Sequence, residues 1–422
     1  MESICDSEHI LKMIDEYLVD HFYILSDPDF ELILVEDLKQ LCGLQNEPDD
    51  TDVFEELNIE YLDIDYNRYN DTLLYECIYY YYLHFMPRRS FDQSFVYSLP
   101  DVDKVSIKIA NLKGKPQPVQ RTPEWYSYRH NILTASNLYK VFGSQALQNE
   151  LVLEKCVPPP MHTTEDTNYS VNTTSSLHWG VKYEPLSLLI YQDIYNTTVD
   201  ELGCITHDVY SFIGASPDGI NSNPSSPLYG RLLEIKNVKS RIIDGTICDQ
   251  YWVQMQVQME VCDVDDCDFL ETKFTEYDTY TEYLEDTCEP YVYDEDAGDE
   301  YDYMYTRYNN NKLYKGLIVY LHKPGEKPLY IYKPLHISTI NDELNWETTT
   351  IEEYEAKGYQ WVTNIYWKLV VFNCQLVVRN RFWFSHAVKY MSTLWDTILR
   401  ERTEGFEHRR PSTYLKKTSR SV

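Results

Sequence analysis

Apolar residues recur every third or fourth position in HILKMIDEYLVDHFYIL, near the start of the chain, and predict an amphipathic helix. The stretch TLLYECIYYYYLHF, ended by Met86-Pro87-Arg88-Arg89, is apolar on too many sides for periodicity to choose between helix and strand. Its four tyrosines, Tyr79 to Tyr82, read as amphipathic packing, with ring faces buried and hydroxyls wet. Lys113, Gly114, Pro116 and Pro118 then mark a linker. A helix is predicted from Pro123-Glu124-Trp125, with Pro in its first turn. A second is predicted in NILTASNLYKVFG, capped by Thr134 or Ser136 and ended by Gly143. SLHWGVKYEPLSLLIYQDIY has helical spacing with Pro185 inside it. CITHDVYSFIGASPDGI reads as one strand running into a Pro-Asp-Gly turn, and RLLEIKNV as a second strand. DQYWVQMQVQMEVCDV has helical length, and KGLIVYLH and PLYIYKPL are two further strands. Helices alternating with strand pairs define an α/β layout.

The chain has 422 residues, 43% of them hydrophobic. That suffices for one large domain of about 200 residues plus a second unit or long appendages. No basic and apolar leader pattern opens the sequence, and no apolar run approaches the roughly 20 residues that span a bilayer. The expectation is a soluble, intracellular protein without a membrane partner. Ten cysteines are scattered without a CxxC pair, as expected for reduced thiols. A net charge of -31 argues against a protein that coats nucleic acid electrostatically, but leaves room for an enzyme with a local site. The acidity peaks in a tyrosine-rich block, Glu271 to Tyr305. From Arg379 onward the sign reverses, which would suit a tail placed on phosphate.

The candidate chemistry lies between these features. Alternation along LLEIKNV puts Glu234 and Lys236 on one strand face and Leu233, Ile235 and Asn237 on the other. With the strand ending at Asp218 as neighbour, two carboxylates and an ammonium converge. Two carboxylates and a main-chain carbonyl are hard oxygen donors of the kind Mg²⁺ takes, and a nearby Lys can serve an attacking water. Taken alone, Glu-x-Lys is also an ordinary ion pair on an exposed strand face. Likewise Gln254, Gln256 and Gln258 could be solvated positions on an amphipathic helix; Gln254 and Gln258 share a helix face and Gln256 does not.

Five motifs in fixed order add to this reading: WYSYR (Trp125, Arg129), TAS (Thr134 to Ser136), GVKYEP (Gly180, Glu184, Pro185), SPDG (216 to 219) with EIK (234 to 236), and QMQVQ (254 to 258). In these the chain resembles the lambda-exonuclease or YqaJ-type viral recombinase family of PD-(D/E)xK nucleases, from about Thr122 to Leu335. The resemblance implies a PD-(D/E)xK restriction-endonuclease-like α/β core, a mixed central sheet flanked by helices, with a mostly helical N-terminal accessory region. The expected division is an accessory region at 1–110, a nuclease core at 111–340 with an acidic insertion at 271–305, and a C-terminal helical extension with a basic tail at 341–422.

By the same resemblance Asp218, Glu234 and the Ile235 carbonyl would hold Mg²⁺, or alternatively Mn²⁺. Glu184 would act as a direct or water-mediated ligand, Lys236 would serve the water, and Gln254 would contact the site, with Gln256 and Gln258 as competing registers. Arg129 and Ser136 would grip a terminal 5′-phosphate. The implied function is 5′-to-3′ exonuclease action on double-stranded DNA in recombination or genome processing of a DNA virus. The implied setting is the cytoplasm or nucleus of an infected cell, with a single-strand annealing protein and homo-oligomerisation as implied partners. The alternatives are an endonuclease or nickase of the same fold, or a non-catalytic DNA-binding scaffold.

Overall fold

The computed structural model describes residues 7–41, 66–120, 122–158, 173, 175–287 and 306–411. The N-terminal part is helical: α1 (Ser7–Asp20), α2 (Phe30–Leu41), α3 (Tyr66–His84) and α4 (Val102–Gly114). Helix α1 buries Ile10, Ile14 and Leu18, one residue per turn on a single face. Helix α4 starts where Asp101 accepts from the Lys104 amide, and it runs through Lys113 and Gly114. The linker predicted there therefore begins only at Lys115. These helices do not form a unit apart. Ile10, Ile14, Leu34 and Leu112 belong to the same apolar core as Trp252, Phe269 and Trp383. Trp252 donates its indole N–H to the Arg89 carbonyl at 2.9 Å.

Helix α5 (Pro123–His130) leads into β1 (Leu133–Thr134), a 3₁₀ turn over Ala135–Val141, and α6 (Gln145–Cys156). The α-helix expected in NILTASNLYKVFG is thus a short strand and a 3₁₀ turn. Thr134 makes no capping hydrogen bond, because it is committed to a parallel pair opposite Gly214. Next come α7 (Ser176–Tyr195), β2 (Val199–Asp200), β3 (Ile205–Thr206), β4 (Ile213–Ala215), β5 (Gly219–Asn221), β6 (Leu232–Asn237), α8 (Asp249–Cys262) and β7 (Asp266–Glu276). The single strand predicted before the Pro-Asp-Gly turn is in fact two short strands, β3 and β4, and β5 begins at the glycine of that turn. After α9 (Tyr280–Glu285) follow β8 (Lys315–His322), β9 (Leu329–Tyr332), α10 (Ile340–Ala356), β10 (Gln360–Val378) and α11 (Arg381–Glu404).

The strands form two sheets. A mixed seven-stranded sheet has the order β2-β5-β6-β7-β10-β8-β9, parallel only between β6 and β7. A small sheet has the order β1-β4-β3. The long β10 lies between β7 and β8, inside the large sheet. The segment expected as a helical extension from residue 341 does carry helices, α10 and α11, but between them it adds β10 to the large sheet, which does not stop at residue 340. The β10 sequence, QWVTNIYWKLVVFNCQLVV, is rich in β-branched and aromatic residues that suit a pleated surface buried in part on both sides. The acidic block also begins inside the sheet. Glu271 to Glu276 are in β7, where Glu271 is buried and paired with Arg241, and Tyr280–Glu285 is α9. The remainder of that block, 288–305, lies outside the described residues. The α/β class, with a mixed sheet flanked by helices and a helical N-terminal part, agrees with the sequence-based expectation.

Candidate active site

Two strands bring the acidic residues together. Gly219 opens β5 opposite Leu233 of β6. A Cβ at Gly219 would lie 2.2 Å from Val199 Cγ1 and 3.2 Å from the Asp200 carbonyl, so only glycine lets β2 approach this closely. Asp218, one residue earlier, is thereby set beside the middle of β6, and its Oδ2 accepts the Ile235 amide at 2.6 Å. The neighbour of β6 is the strand that follows Asp218, whereas the strand ending before it, β4, belongs to the small sheet. Leu233 and Ile235 pack with Tyr191 and Leu188 of α7, while Glu234 turns to the opposite face, onto α8.

Helix α8 is buried all round, from Trp252 to Cys262. The glutamines are not solvated: Gln254, Gln256 and Gln258 are 8%, 0% and 0% exposed. Buried amides need partners, and two of them find Glu234. Gln254 donates to Glu234 Oε1 and Gln258 to Oε2, both at 2.7 Å, and Lys236 Nζ donates to Oε1 as well. Gln256 points elsewhere, donating to the Val378 carbonyl at 3.0 Å and accepting the Asn380 amide at 2.6 Å. Spacing alone had left the three glutamines open. In the structure 254 and 258 share Glu234, whereas 256 ties β10 to α11. Gln258 Oε1 is buried and has no hydrogen-bond partner among the described residues.

Burial raises the Asp218 pKa well above the carboxylate range, with Glu234 and then Glu184 adding to the rise; Lys236 and the Ile235 amide oppose it. Burial by itself would lower the Lys236 pKa, but Glu234 and Asp218 outweigh it and hold the ammonium above its ordinary value. Lys236 Nζ also sits 4.9 Å from the centre of the Tyr251 ring. Three carboxylates thus act on one place against a single ammonium, and the negative excess there is one that a divalent cation would neutralise. Among the described residues no three His, Cys, Asp or Glu side chains form a ready cage. The donor set therefore suits an ion that keeps several waters and takes two carboxylates and a main-chain carbonyl.

Glu184 is exposed on α7, near enough for its charge to reach Asp218. Pro185 lies in the helix interior, where its missing N–H leaves the Val181 carbonyl without its usual donor. The helix is pinned to the sheet on either side of Pro185. Ser187 Oγ donates to Asn237 Oδ1 at 2.6 Å, Thr272 Oγ1 donates to the same oxygen at 2.8 Å, and Asn237 Nδ2 donates to the Gly180 carbonyl at 3.3 Å. Sequence reasoning did not find Ser187, Asn237, Thr272 or Tyr251. The one available signal was Asn237, a polar residue on the otherwise apolar face of LLEIKNV.

Arg129 lies with its guanidinium carbon 4.6 Å from the centre of the Trp125 ring, and its charge reaches the Cys204 thiol, where it opposes the rise in pKa that burial causes. Ser136, half-buried, stands in the 3₁₀ turn just after β1. Among the described residues no hydrogen bond or ion pair joins either to Asp218 or Glu234. The link runs through the small sheet, since β1 pairs with β4 at Leu133–Ile213 and Thr134–Gly214, and β4 leads straight to Asp218. The C-terminal cations are largely paired: Arg379 with Glu260 and Asp263, Arg381 with Asp265, Arg409 with Glu401, Arg410 with Glu407. Lys416, Lys417 and Arg420 lie outside the described residues.

Asp218, one residue before β5, thus stands beside Glu234 and Lys236 of β6, the arrangement that the PD-(D/E)xK motif describes. Residues 124–278 match the YqaJ-like viral recombinase domain. An uncharacterized protein of Acanthamoeba polyphaga mimivirus is 31% identical over 319 residues, covering 68% of this chain and 54% of the relative. The chain thus spans about half the length of the curated relative it matches. Among solved structures, an alkaline exonuclease from Laribacter hongkongensis is 16% identical with a TM-score of 0.36, covering 71% of this chain and 99% of that one. The same exonuclease in complex with dAMP gives 16% identity and a TM-score of 0.35. No helix among the described residues is long and apolar enough to cross a membrane.

Proposed function

We propose that this chain is a metal-dependent deoxyribonuclease acting as a 5′-to-3′ exonuclease on double-stranded DNA in viral recombination or genome processing. The observation that carries the reading is the convergence of Asp218, Glu234 and Lys236 inside the segment matched to the family, with Gln254 and Gln258 both committed to Glu234. A scaffold protein has no use for a buried carboxylate held by three donors beside a second acid of raised pKa.

In this reading Asp218, Glu234 and the Ile235 carbonyl would hold Mg²⁺ or Mn²⁺, with Glu184 as a direct or water-mediated ligand. The bound cation would supply Lewis-acid activation of a water and of the scissile phosphate. Lys236, kept charged by its two acids, orients that water and balances charge building on the phosphate. Gln254 and Gln258 fix the Glu234 rotamer, so that both carboxylate oxygens keep one orientation. Arg129 and Ser136 hold the terminal 5′-phosphate. A single-strand annealing protein and further copies of the chain are its proposed partners.

The test is digestion of end-labelled linear duplex with Mg²⁺, beside a covalently closed circle of the same sequence. Loss of the linear form alone, releasing label from 5′ ends, supports the exonuclease. Cutting of the circle would give first place to the endonuclease reading, and inertness toward both to the scaffold.

A further inference from the structure

We infer that Arg402, on α11 and outside the family-matched segment, is a positioning residue for 5′-end recognition: with Lys155 it fixes the C-terminal turn of α5 and thereby the direction of Arg129. The inference rests on the reading of Arg129 as a 5′-phosphate ligand.

Helix α5 has eight residues and buries none of them fully. A helix that short is marginal in water, and its rings, Trp125, Tyr126 and Tyr128, are only half-buried. Its start is capped by Thr122, whose hydroxyl accepts the Trp125 amide. Its end is held by two cations from distant parts of the chain. Lys155 Nζ, in a residue only 3% exposed, donates to the Arg129 carbonyl at 2.9 Å. Arg402 Nη2 donates to the His130 carbonyl at 2.7 Å, Nη1 to Asn131 Oδ1 at 3.2 Å, and Nε to the Lys155 carbonyl at 2.8 Å. One guanidinium therefore joins the ends of α5 and α6, a span its planar fork of donors can bridge and a single ammonium cannot. The Trp395 ring, 5.4 Å from the guanidinium carbon, steadies Arg402 on its own helix.

The chemistry agrees with the geometry. The last carbonyls of a helix carry partial negative charge, which a cation satisfies. Arg129 is the penultimate residue of α5, so its backbone is the part that Lys155 and Arg402 immobilise. Its side chain is then aimed by Trp125 beneath it and Cys204 beside it. Arg129, Lys155 and Arg402 stand together, and among the described residues Lys155 is paired with Glu154. In a chain of net charge -31 such a place favours an incoming phosphate. A loosened α5 would keep Arg129 but let its guanidinium wander by more than a phosphate contact tolerates.

The experiment uses the full chain as wild type, Arg402→Gln, Arg402→Lys, Asn131→Ala, Arg129→Ala and the Arg129→Ala/Arg402→Gln pair. Initial rates are measured on linear duplex with 5′-phosphate or 5′-hydroxyl ends, alongside thermal melts. Wild type should prefer the phosphorylated end and Arg129→Ala should lose that preference. Arg402→Gln should lose it by on the order of tenfold, mainly as a raised KM on 5′-phosphate, with rates on 5′-hydroxyl ends within about twofold. Arg402→Lys should not restore it, Asn131→Ala should show a smaller loss of the same kind, and the pair should be no worse than Arg129→Ala alone. An undiminished preference in both Arg402→Gln and Asn131→Ala, or an equal fall on both kinds of end, overturns the inference. A wild type without preference, or an Arg129→Ala protein that keeps it, overturns the Arg129 reading first and the inference with it.

Discussion

The acid cluster and the phosphate grip proposed beside it are built on different principles. Asp218, Glu234 and Lys236 are set by strand register: a glycine that admits a neighbouring strand, a main-chain amide on Asp218, and alternation along β6. Arg129 is set by side chains that reach across the fold to hold the end of a short helix. Register is rigid and local in sequence, whereas a clasp is adjustable and assembled from far apart. In the function proposed above, the chemistry that needs fixed charge would sit on the first and recognition of a chain end on the second.

The largest effects should come from the register side. Asp218→Asn or Glu234→Gln should abolish cleavage, by on the order of a thousandfold or more, because each removes a ligand charge at unchanged shape. Far-ultraviolet circular dichroism should stay as in the wild type, and an Asp218→Asn protein digesting DNA at the normal rate would remove this site from consideration. Lys236→Met should also inactivate, while Mn²⁺ still binds, as followed by titration calorimetry.

Next come the glutamines, which separate holding a carboxylate from holding the fold. Gln258→Met strips one donor from a buried charge and should cost about 2 kcal/mol in urea denaturation together with a ten- to hundredfold loss of rate. Gln256→Met, which loses contacts to Val378 and Asn380 only, should cost similar stability and leave the rate near normal. Equal kinetic losses in the two variants would mean that the helix, and not the amide on Glu234, matters.

The pairing of 254 with 258 and the parity of Glu234 with Lys236 were legible in the sequence because both follow from helix and strand periods. Burial of all three glutamines was not, since α8 looks amphipathic until α11 and the N-terminal helices cover it. Strand β10 carries β-branched and aromatic residues along its length but lies beyond the last motif, and local sequence does not say that it pairs with β7 and β8. The roles of Arg402 and Lys155 leave no mark in local sequence at all, because only the fold brings residues 129, 155 and 402 together.

The smallest effect concerns His130, beside Arg402. Burial, and then the Arg402 charge, lower its pKa below the ordinary histidine value, against the pull of the Val157 carbonyl. A histidine depressed in the folded state binds its proton more readily when unfolded. Stability should therefore be complete above about pH 6.5 and decline as pH falls from there toward the folded value. Thermal melts at pH 5.5 and 7.5 should differ less for His130→Gln than for wild type, and an unchanged difference would exclude His130 as its source.

The position of β10 also governs the order in which the molecule can be completed during synthesis. The family-matched segment closes at residue 278 with β7 made, yet the partner strand on its open side arrives only with residues 360–378. Until then an eleven-residue strand presents its amides and carbonyls to whatever is near. The nascent chain thus carries a sticky, half-built sheet through the translation of some eighty residues, a period in which chaperones would hold it. Fragments ended at the apparent domain boundary should precipitate, while the chain carried through β10 and α11, to Glu404, should remain in solution.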